Sequence, residues 1–109
     1  MQMSTLSPEL ADSFLLRMAE RFKVLGEPMR LRILHSLMGE EQTVNALARH
    51  CASTAANVSR HLQILRLHQV VTGRKEGQEV YYRIIDPAIP ELCAFVCERL
   101  AGEELNKQV

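Results

Sequence analysis

The sequence has no hydrophobic run long enough to cross a membrane, and its N-terminus lacks a secretory pattern. It also lacks net charge, because 13 basic side chains balance 13 acidic ones over 109 residues. No Gly-rich phosphate loop, Ser-His-Asp arrangement or pocket-forming pair of acids is present, which argues against an enzyme. Three cysteines do not indicate a disulfide framework. We therefore expect one cytoplasmic, non-enzymatic domain over residues 1–109, with no membrane partner.

A further absence marks the middle of the chain, where no acidic residue lies between Thr54 and Val71. Apolar residues at intervals of three and four predict two helices over residues 43–68, with a break at 52–54. A surface helix that only had to be soluble would usually carry Glu and Lys on its outer face. The second helix instead presents small or hydrogen-bonding side chains there, namely Ala55, Ala56, Ser59, Arg60 and Gln63. An amphipathic helical hairpin fits the periodicity equally well, but a helix-turn-helix that enters a DNA groove also explains these side chains.

A hairpin signal follows directly, over residues 70–85. Two runs of β-branched or aromatic residues flank a polar tip, and Glu76-Gly77 is a plausible turn because glycine accepts a positive φ. A basic hairpin tip directly after a candidate recognition helix predicts a wing. Arg74 and Lys75 would then contact phosphates or reach a minor groove.

The charges are distributed unevenly although they cancel over the whole chain. Residues 54–83 carry five basic and two acidic side chains, whereas residues 84–109 carry two basic and five acidic ones. This polarity indicates a basic part that faces DNA and an acidic part turned away from it. Any affinity for DNA should therefore fall as salt rises.

Both ends of the chain carry apolar stripes at helical spacing, over residues 8–24 and 88–105. Ser7 and Pro8 suit an N-cap and a first helical position. From the residues alone, the N-terminal helix either supplies a dimer interface or covers its own core.

The stretch from about Glu20 to Asp86 contains the segments ERFKVLGEPMRLRILHSL, ALARHCASTAANVSRHLQILRLHQVV and GRKEGQEVYYRI. Together they resemble the ArsR/SmtB family of dimeric winged-helix repressors, which sense metals, metalloids and redox species. This resemblance implies a mainly α fold with a small β-hairpin, homodimeric through the N- and C-terminal helices. It also implies a repressor that binds an inverted-repeat operator in double-stranded DNA until an inducer releases it. The contacts it implies are Thr54, Ala55, Ala56, Asn57, Ser59, Arg60, His61, Gln63, Arg74 and Lys75.

The cysteines suggest how such a repressor would be released. Cys93 and Cys97 are four residues apart in the last predicted helix, so both lie on one face. With Cys51 they would form a trigonal thiolate site for As(III) or Sb(III), or part of a site for a softer divalent metal. Two alternatives stay open: redox or reactive-sulfur sensing by the thiols, and simple packing of small apolar side chains. For the domain as a whole, a further alternative is a winged helix that binds proteins instead of DNA.

The family's other metal sites are not matched. Thr43-Val44-Asn45 stands where some members carry Cys-x-Cys, and Ala88 stands where others carry a histidine near Asp86. A zinc site of either type is therefore not expected.

Overall fold

The computed structural model describes residues 7–107. This part of the chain forms five helices and three short strands. They are α1 (Pro8–Leu25), α2 (Pro28–Leu37), β1 (Gln42–Thr43), α3 (Val44–His50), α4 (Ala55–Leu67), β2 (Val71–Glu76), β3 (Glu79–Ile84) and α5 (Ala88–Lys107). None of these helices is long and apolar enough to span a bilayer. The mainly helical architecture with a small antiparallel sheet agrees with the predicted fold.

Side-chain caps define where four of the helices begin. Ser7 accepts a hydrogen bond of 3.3 Å from the backbone N–H of Leu10 at the start of α1. Glu27 caps α2, Thr43 caps α3 and Thr54 caps α4 in the same way. Each cap satisfies one of the backbone N–H groups that a helix leaves without a partner in its first turn.

The core lies where α2, α3 and α4 meet the inner side of the sheet. Its largest fully buried side chains are Ile33, Leu34, Leu47, Leu62, Leu65, Ile89, Val58, Val70 and Val71. Those in helices come from the positions that helical spacing places on one face of each helix, whereas Val70 precedes β2 and Val71 begins it. The sheet joins this core through Tyr82 and Ile84, which pack against it.

The three strands form an antiparallel sheet in the order β1-β3-β2. Glu76 pairs with Glu79, so the hairpin loop consists of Gly77 and Gln78. The turn predicted at Glu76-Gly77 is thus wrong by one residue, because Glu76 belongs to the ladder. Gly77 has a φ of 64°, which explains why glycine stands at this position.

The two terminal helices contribute little to the core. In α1, 18 residues long, only Val24 and Leu25 are buried; in α5, 20 residues long, only Ile89 is buried. Most of the apolar side chains of α1 and α5 are therefore exposed to solvent in a single chain.

Candidate nucleic-acid interface

The turn between α3 and α4 sets the direction of the second helix. Cys51 ends α3, and Ala52 follows with a φ of 52°, in the left-handed region that L residues seldom adopt. The N–H of Ser53 donates a 2.9 Å hydrogen bond to the carbonyl of Ala48, which closes the turn. Thr54 then caps α4 by accepting a 3.1 Å hydrogen bond from the N–H of Asn57.

Helix α4 buries one face and exposes the other. Val58, Leu62 and Leu65 are at most 1% exposed, so this face is fixed to the body of the protein. The opposite face is the solvent-exposed surface of Ala55, Ala56, Arg60 and Gln63, as predicted, while Asn57 and Ser59 are half-buried at its edges. Leu67 extends this exposed face by one turn and is 79% exposed, and sequence reasoning missed it.

A chain of hydrogen bonds runs along the exposed side of α4. The amide nitrogen of Asn57 donates to the hydroxyl of Ser53 at 3.0 Å, and its amide oxygen accepts from the guanidinium of Arg60 at 2.7 Å. Arg60 is thereby oriented although it is exposed. An oriented guanidinium loses less rotamer freedom when it binds a ligand than a free one does.

The prediction that His61 faces the groove is wrong, because this residue is buried, with only 8% of its surface exposed. Its Nδ1 accepts a 3.3 Å hydrogen bond from Nε of Arg30 and lies 3.7 Å from a carboxylate oxygen of Glu27. Arg30 also donates to the carbonyl of Val24 at 3.0 Å. The sequence spacing could have indicated this burial. His61 lies three residues after Val58 and four before the buried Leu65, which places it at the border of the buried face.

Arg74 in the wing is surrounded by carboxylates. Its Nε lies 3.1 and 2.9 Å from the two oxygens of Glu41, and a terminal nitrogen lies 2.6 Å from Glu76. Its guanidinium carbon is 5.0 Å from the centre of the Tyr81 ring. The hydrogen bond from Arg74 lowers the pKa of the Glu41 carboxyl, and the same bond is the largest cause of the raised pKa of Arg74. Sequence reasoning missed Glu41, since it did not place β1 beside β3.

Lys75 differs from its neighbour. It pairs with Val80 in the ladder, is exposed, and forms no ion pair with any residue in the range 7–107. Successive residues of a strand point to opposite faces, so Lys75 and Arg74 lie on different sides of the hairpin.

The three cysteines do not form the predicted trigonal site within one chain. Cys51 is 3% exposed in the core, with its sulfur 4.0 Å from the hydroxyl of Ser36. No group of three His, Cys, Asp or Glu side chains between residues 7 and 107 is close enough to hold a metal ion. Cys93 is half-buried and Cys97 is exposed. Burial raises the pKa of the Cys93 thiol, and the neighbouring Cys97 adds to the shift.

Asp86, which precedes α5, already has structural partners. One carboxylate oxygen accepts a 2.7 Å hydrogen bond from Arg21 on α1, and the other accepts a 3.0 Å bond from the N–H of Ala88. This residue therefore ties α1 to the start of α5.

Two short helices with a left-handed turn, an exposed acid-free face on the second, and a β-hairpin directly after it define a winged helix-turn-helix protein. Residues 25–74 match a family described as "Helix-turn-helix domain". The solution structure of the homodimeric winged helix-turn-helix DNA-binding domain of Mb0332 from Mycobacterium bovis superposes with a TM-score of 0.75. That comparison has 33% sequence identity and covers 93% of this chain and 92% of the solved fragment of Mb0332, residues 1–100. The predicted fold is confirmed.

Two relatives named as transcriptional regulators support this class. The regulator KmtR of Mycobacterium tuberculosis is 32% identical over 83 residues, which make up 76% of this chain and 64% of KmtR. The repressor SmtB homolog of Synechocystis is 36% identical over 84 residues, 77% of this chain and 64% of that protein. The aligned part thus spans less than two thirds of either relative. The chain belongs to the ArsR/SmtB family of winged helix-turn-helix transcriptional regulators, as its sequence motifs predicted.

Proposed function

We propose that this protein is a homodimeric transcriptional repressor that inserts α4 into the major groove of an inverted-repeat operator. The observation that carries the proposal is the exposed face of α4, which has no acid and holds an oriented Arg60. Arginine reads guanine edges in the major groove and also binds phosphate, whereas a carboxylate on this face would be repelled by the DNA backbone.

The proposed contacts follow from exposure. Small side chains at the start of α4 allow the helix axis to approach the groove, and the polar side chains beyond them reach base edges or phosphates. The set consists of Thr54, Ala55, Ala56, Asn57, Ser59, Arg60 and Gln63, with Lys75 as a phosphate contact from the wing. His61 is excluded because it is buried against Arg30.

The proposed dimer rests on the apolar surface of the terminal helices. In a single chain the large exposed side chains there are Leu10, Leu15, Leu16, Met18 and Phe22 on α1, and Leu92, Phe95, Val96, Leu100 and Leu105 on α5. Large apolar side chains left exposed in this number on two helices indicate a protein interface. The homodimeric state of the Mb0332 domain supports the same arrangement. Two copies related by a two-fold axis would place their α4 helices roughly 34 Å apart, one turn of DNA.

A fluorescence-anisotropy titration tests this proposal. The probe is the duplex upstream of the protein's own gene, and the variants are Arg60→Ala and the matched arginine change Arg99→Ala in the acidic α5. We expect Arg60→Ala to weaken binding by about 1–3 kcal/mol per half-site and Arg99→Ala to leave it unchanged. A protein that binds partner proteins instead of DNA would show no saturable binding to any such fragment.

For the signal, we propose that Cys93 and Cys97 bind As(III) or another thiophilic ion and that binding releases the operator. Cβ atoms four apart on a helix are about 5–6 Å apart, farther than the roughly 3.5–4.5 Å of a disulfide. A bridging ion therefore fits a continuous helix better than a direct bond between the sulfurs does. Cys97 is exposed and therefore accessible to an ion from solvent. Its charge contributes to the raised pKa of Cys93.

Release of the labelled operator distinguishes the signals. The wild type, Cys93→Ser, Cys97→Ser and the control Cys51→Ser are each treated with As(III), Sb(III), peroxide and persulfide. The proposal requires release by As(III) or Sb(III) that either α5 substitution abolishes and Cys51→Ser preserves. Release by peroxide or persulfide alone would identify a redox sensor, and equal responses in all variants would leave the cysteines a packing role.

A further inference from the structure

The wing carries two adjacent basic residues whose surroundings differ, and the difference assigns them different roles. We propose that Arg74 is a positioning residue, which fixes the wing to the helix-turn-helix, and that Lys75 supplies the wing's phosphate contact. The role of Lys75 rests on the proposed function. The role of Arg74 in fixing the wing concerns the protein without DNA and can be tested separately.

The geometry shows how Arg74 fixes the wing. Arg74 lies on β2, at one edge of the sheet, while Glu41 precedes β1 at the other edge. The guanidinium passes over the ring of Tyr81, on the central strand, and reaches Glu41 with Nε. One side chain thus spans all three strands. Strand β1 itself is held to β3 by only the pairs of Gln42 and Thr43, so this link reinforces a short ladder.

That link bears directly on the orientation of the wing. Glu41 stands two residues before Thr43, the residue that caps α3. Helix α3 in turn packs beside α4, and both helices contribute buried leucines, Leu47 and Leu62, to the same core. Because Arg74 links the hairpin to Glu41, it also links the hairpin to α3. Through α3 the hairpin is held in position relative to α4, the proposed recognition helix. Without this link the hairpin tip would have more conformational freedom, and ordering it on DNA would reduce the binding free energy.

The charge around Arg74 opposes a role in phosphate binding. The ladder places Thr72, Arg74 and Glu76 on one face of the hairpin with Glu79, Tyr81 and Arg83 opposite them. Counting Glu41, this outer face holds three carboxylates and two guanidiniums, a net charge of −1. A phosphate that approached Arg74 would meet Glu41 and Glu76 within hydrogen-bonding distance of the same guanidinium. Lys75, on the other face, brings its charge uncompensated by any described residue.

Salt dependence of operator binding separates the two roles. Each phosphate contact contributes about −0.9 to the slope of log K against log salt, so Lys75→Gln should make this negative slope shallower by about 1.8 in a dimer. Arg74→Gln and Glu41→Gln should both weaken binding by a similar factor and leave the slope unchanged, and the double variant should be no weaker than either single one. If Arg74 itself bound phosphate, Glu41→Gln would tighten binding and Arg74→Gln would make the negative salt slope shallower. That pair of results would overturn the proposal.

A charge exchange and a DNA-free measurement complete the test. The double variant Glu41→Arg with Arg74→Glu should recover most of the affinity lost in Glu41→Arg alone or Arg74→Glu alone, because the ion pair is restored with its two charges exchanged. In the absence of DNA, amide hydrogen exchange in β1 and β3 should accelerate several-fold in Glu41→Gln and Arg74→Gln but not in Lys75→Gln. Unchanged exchange in both of the first two variants would overturn the positioning role. A wild type that binds no DNA would contradict the proposed function and leave this exchange measurement to decide the role of Arg74.

Discussion

Nε of Arg30 donates a 3.3 Å hydrogen bond to Nδ1 of His61 and so fastens helix α4 to the first turn of α2. Because Nδ1 accepts this bond, the ring carries its proton on Nε2 in this arrangement. The same guanidinium donates to the carbonyl of Val24 at the end of α1. Three helices therefore meet at one arginine. The buried histidine therefore holds α4 in place from the side away from its exposed face.

Removing Arg30 should destabilise the protein. Arg30→Ala leaves the Val24 carbonyl and the buried His61 nitrogen without their donor, at an expected cost of about 1–3 kcal/mol in the free energy of unfolding. Arg32→Ala is the matched control because Arg32 is exposed on the same helix, and such changes usually stay within about 0.5 kcal/mol. Urea unfolding followed by circular dichroism measures both. Equal stabilities for the two variants would show that the Arg30 contacts contribute nothing.

The cap of α4 should respond to loss of a single oxygen. Thr54 accepts the N–H of Asn57 through its hydroxyl, and Thr54→Ala should cost about 0.5–2 kcal/mol in the free energy of unfolding. Thr54→Ser keeps the hydroxyl and should retain most of the stability. Thermal unfolding at fixed protein concentration compares the three proteins. If serine were as damaging as alanine, the methyl group and not the cap would be the stabilising feature.

Gly73 is required by packing. A Cβ at this position would lie 2.9 Å from Cγ1 of Val80 and 3.0 Å from the ring of Tyr82. Gly73→Ala should therefore force these side chains apart and destabilise the protein by about 1–3 kcal/mol. The double variant with Val80→Ala removes the closest clash, so it should be less destabilised than the sum of the two single variants. Strict additivity in chemical unfolding would contradict this packing account.

The α5 thiols should react at different rates. Burial first, and the neighbouring Cys97 second, raise the pKa of Cys93, and only the thiolate is nucleophilic. Alkylation of Cys93 by iodoacetamide should therefore reach half its maximal rate at a higher pH than for an exposed thiol. Cys97→Ser removes the smaller cause, so it should lower this midpoint only in part. Mass spectrometry of the alkylated peptides reports each site separately, and a midpoint at the ordinary value would contradict the burial of Cys93.

Sequence patterns predicted the elements of this fold because helix and hairpin signals are local. The intervals of three and four that mark Val58, Leu62 and Leu65 also determine which face of α4 stays exposed. The same spacing placed His61 at the border between the two faces, where periodicity alone does not decide between groove and core. Its burial depends on Arg30, 31 residues earlier in the chain.

The environment of Arg74 was beyond local prediction for a related reason. Its partner Glu41 is 33 residues away and becomes a neighbour only when β1 adds to the hairpin edge. A two-residue strand carries almost no signal of its own in a sequence. Similarly, the spacing of Cys93 and Cys97 predicted a shared helix face, whereas the distance of Cys51 from them depends on how α3 and α5 are placed in the fold.

Whether α4 reads operator DNA can be decided by footprinting the region upstream of the protein's own gene with wild-type protein and with an Arg60→Ala, Gln63→Ala double variant. We expect a wild-type footprint with two protected half-sites one helical turn apart, and loss of that protection in a double variant that remains folded. An unchanged footprint with the double variant would show that α4 does not read the DNA, as would a wild-type protein that protects no part of that region.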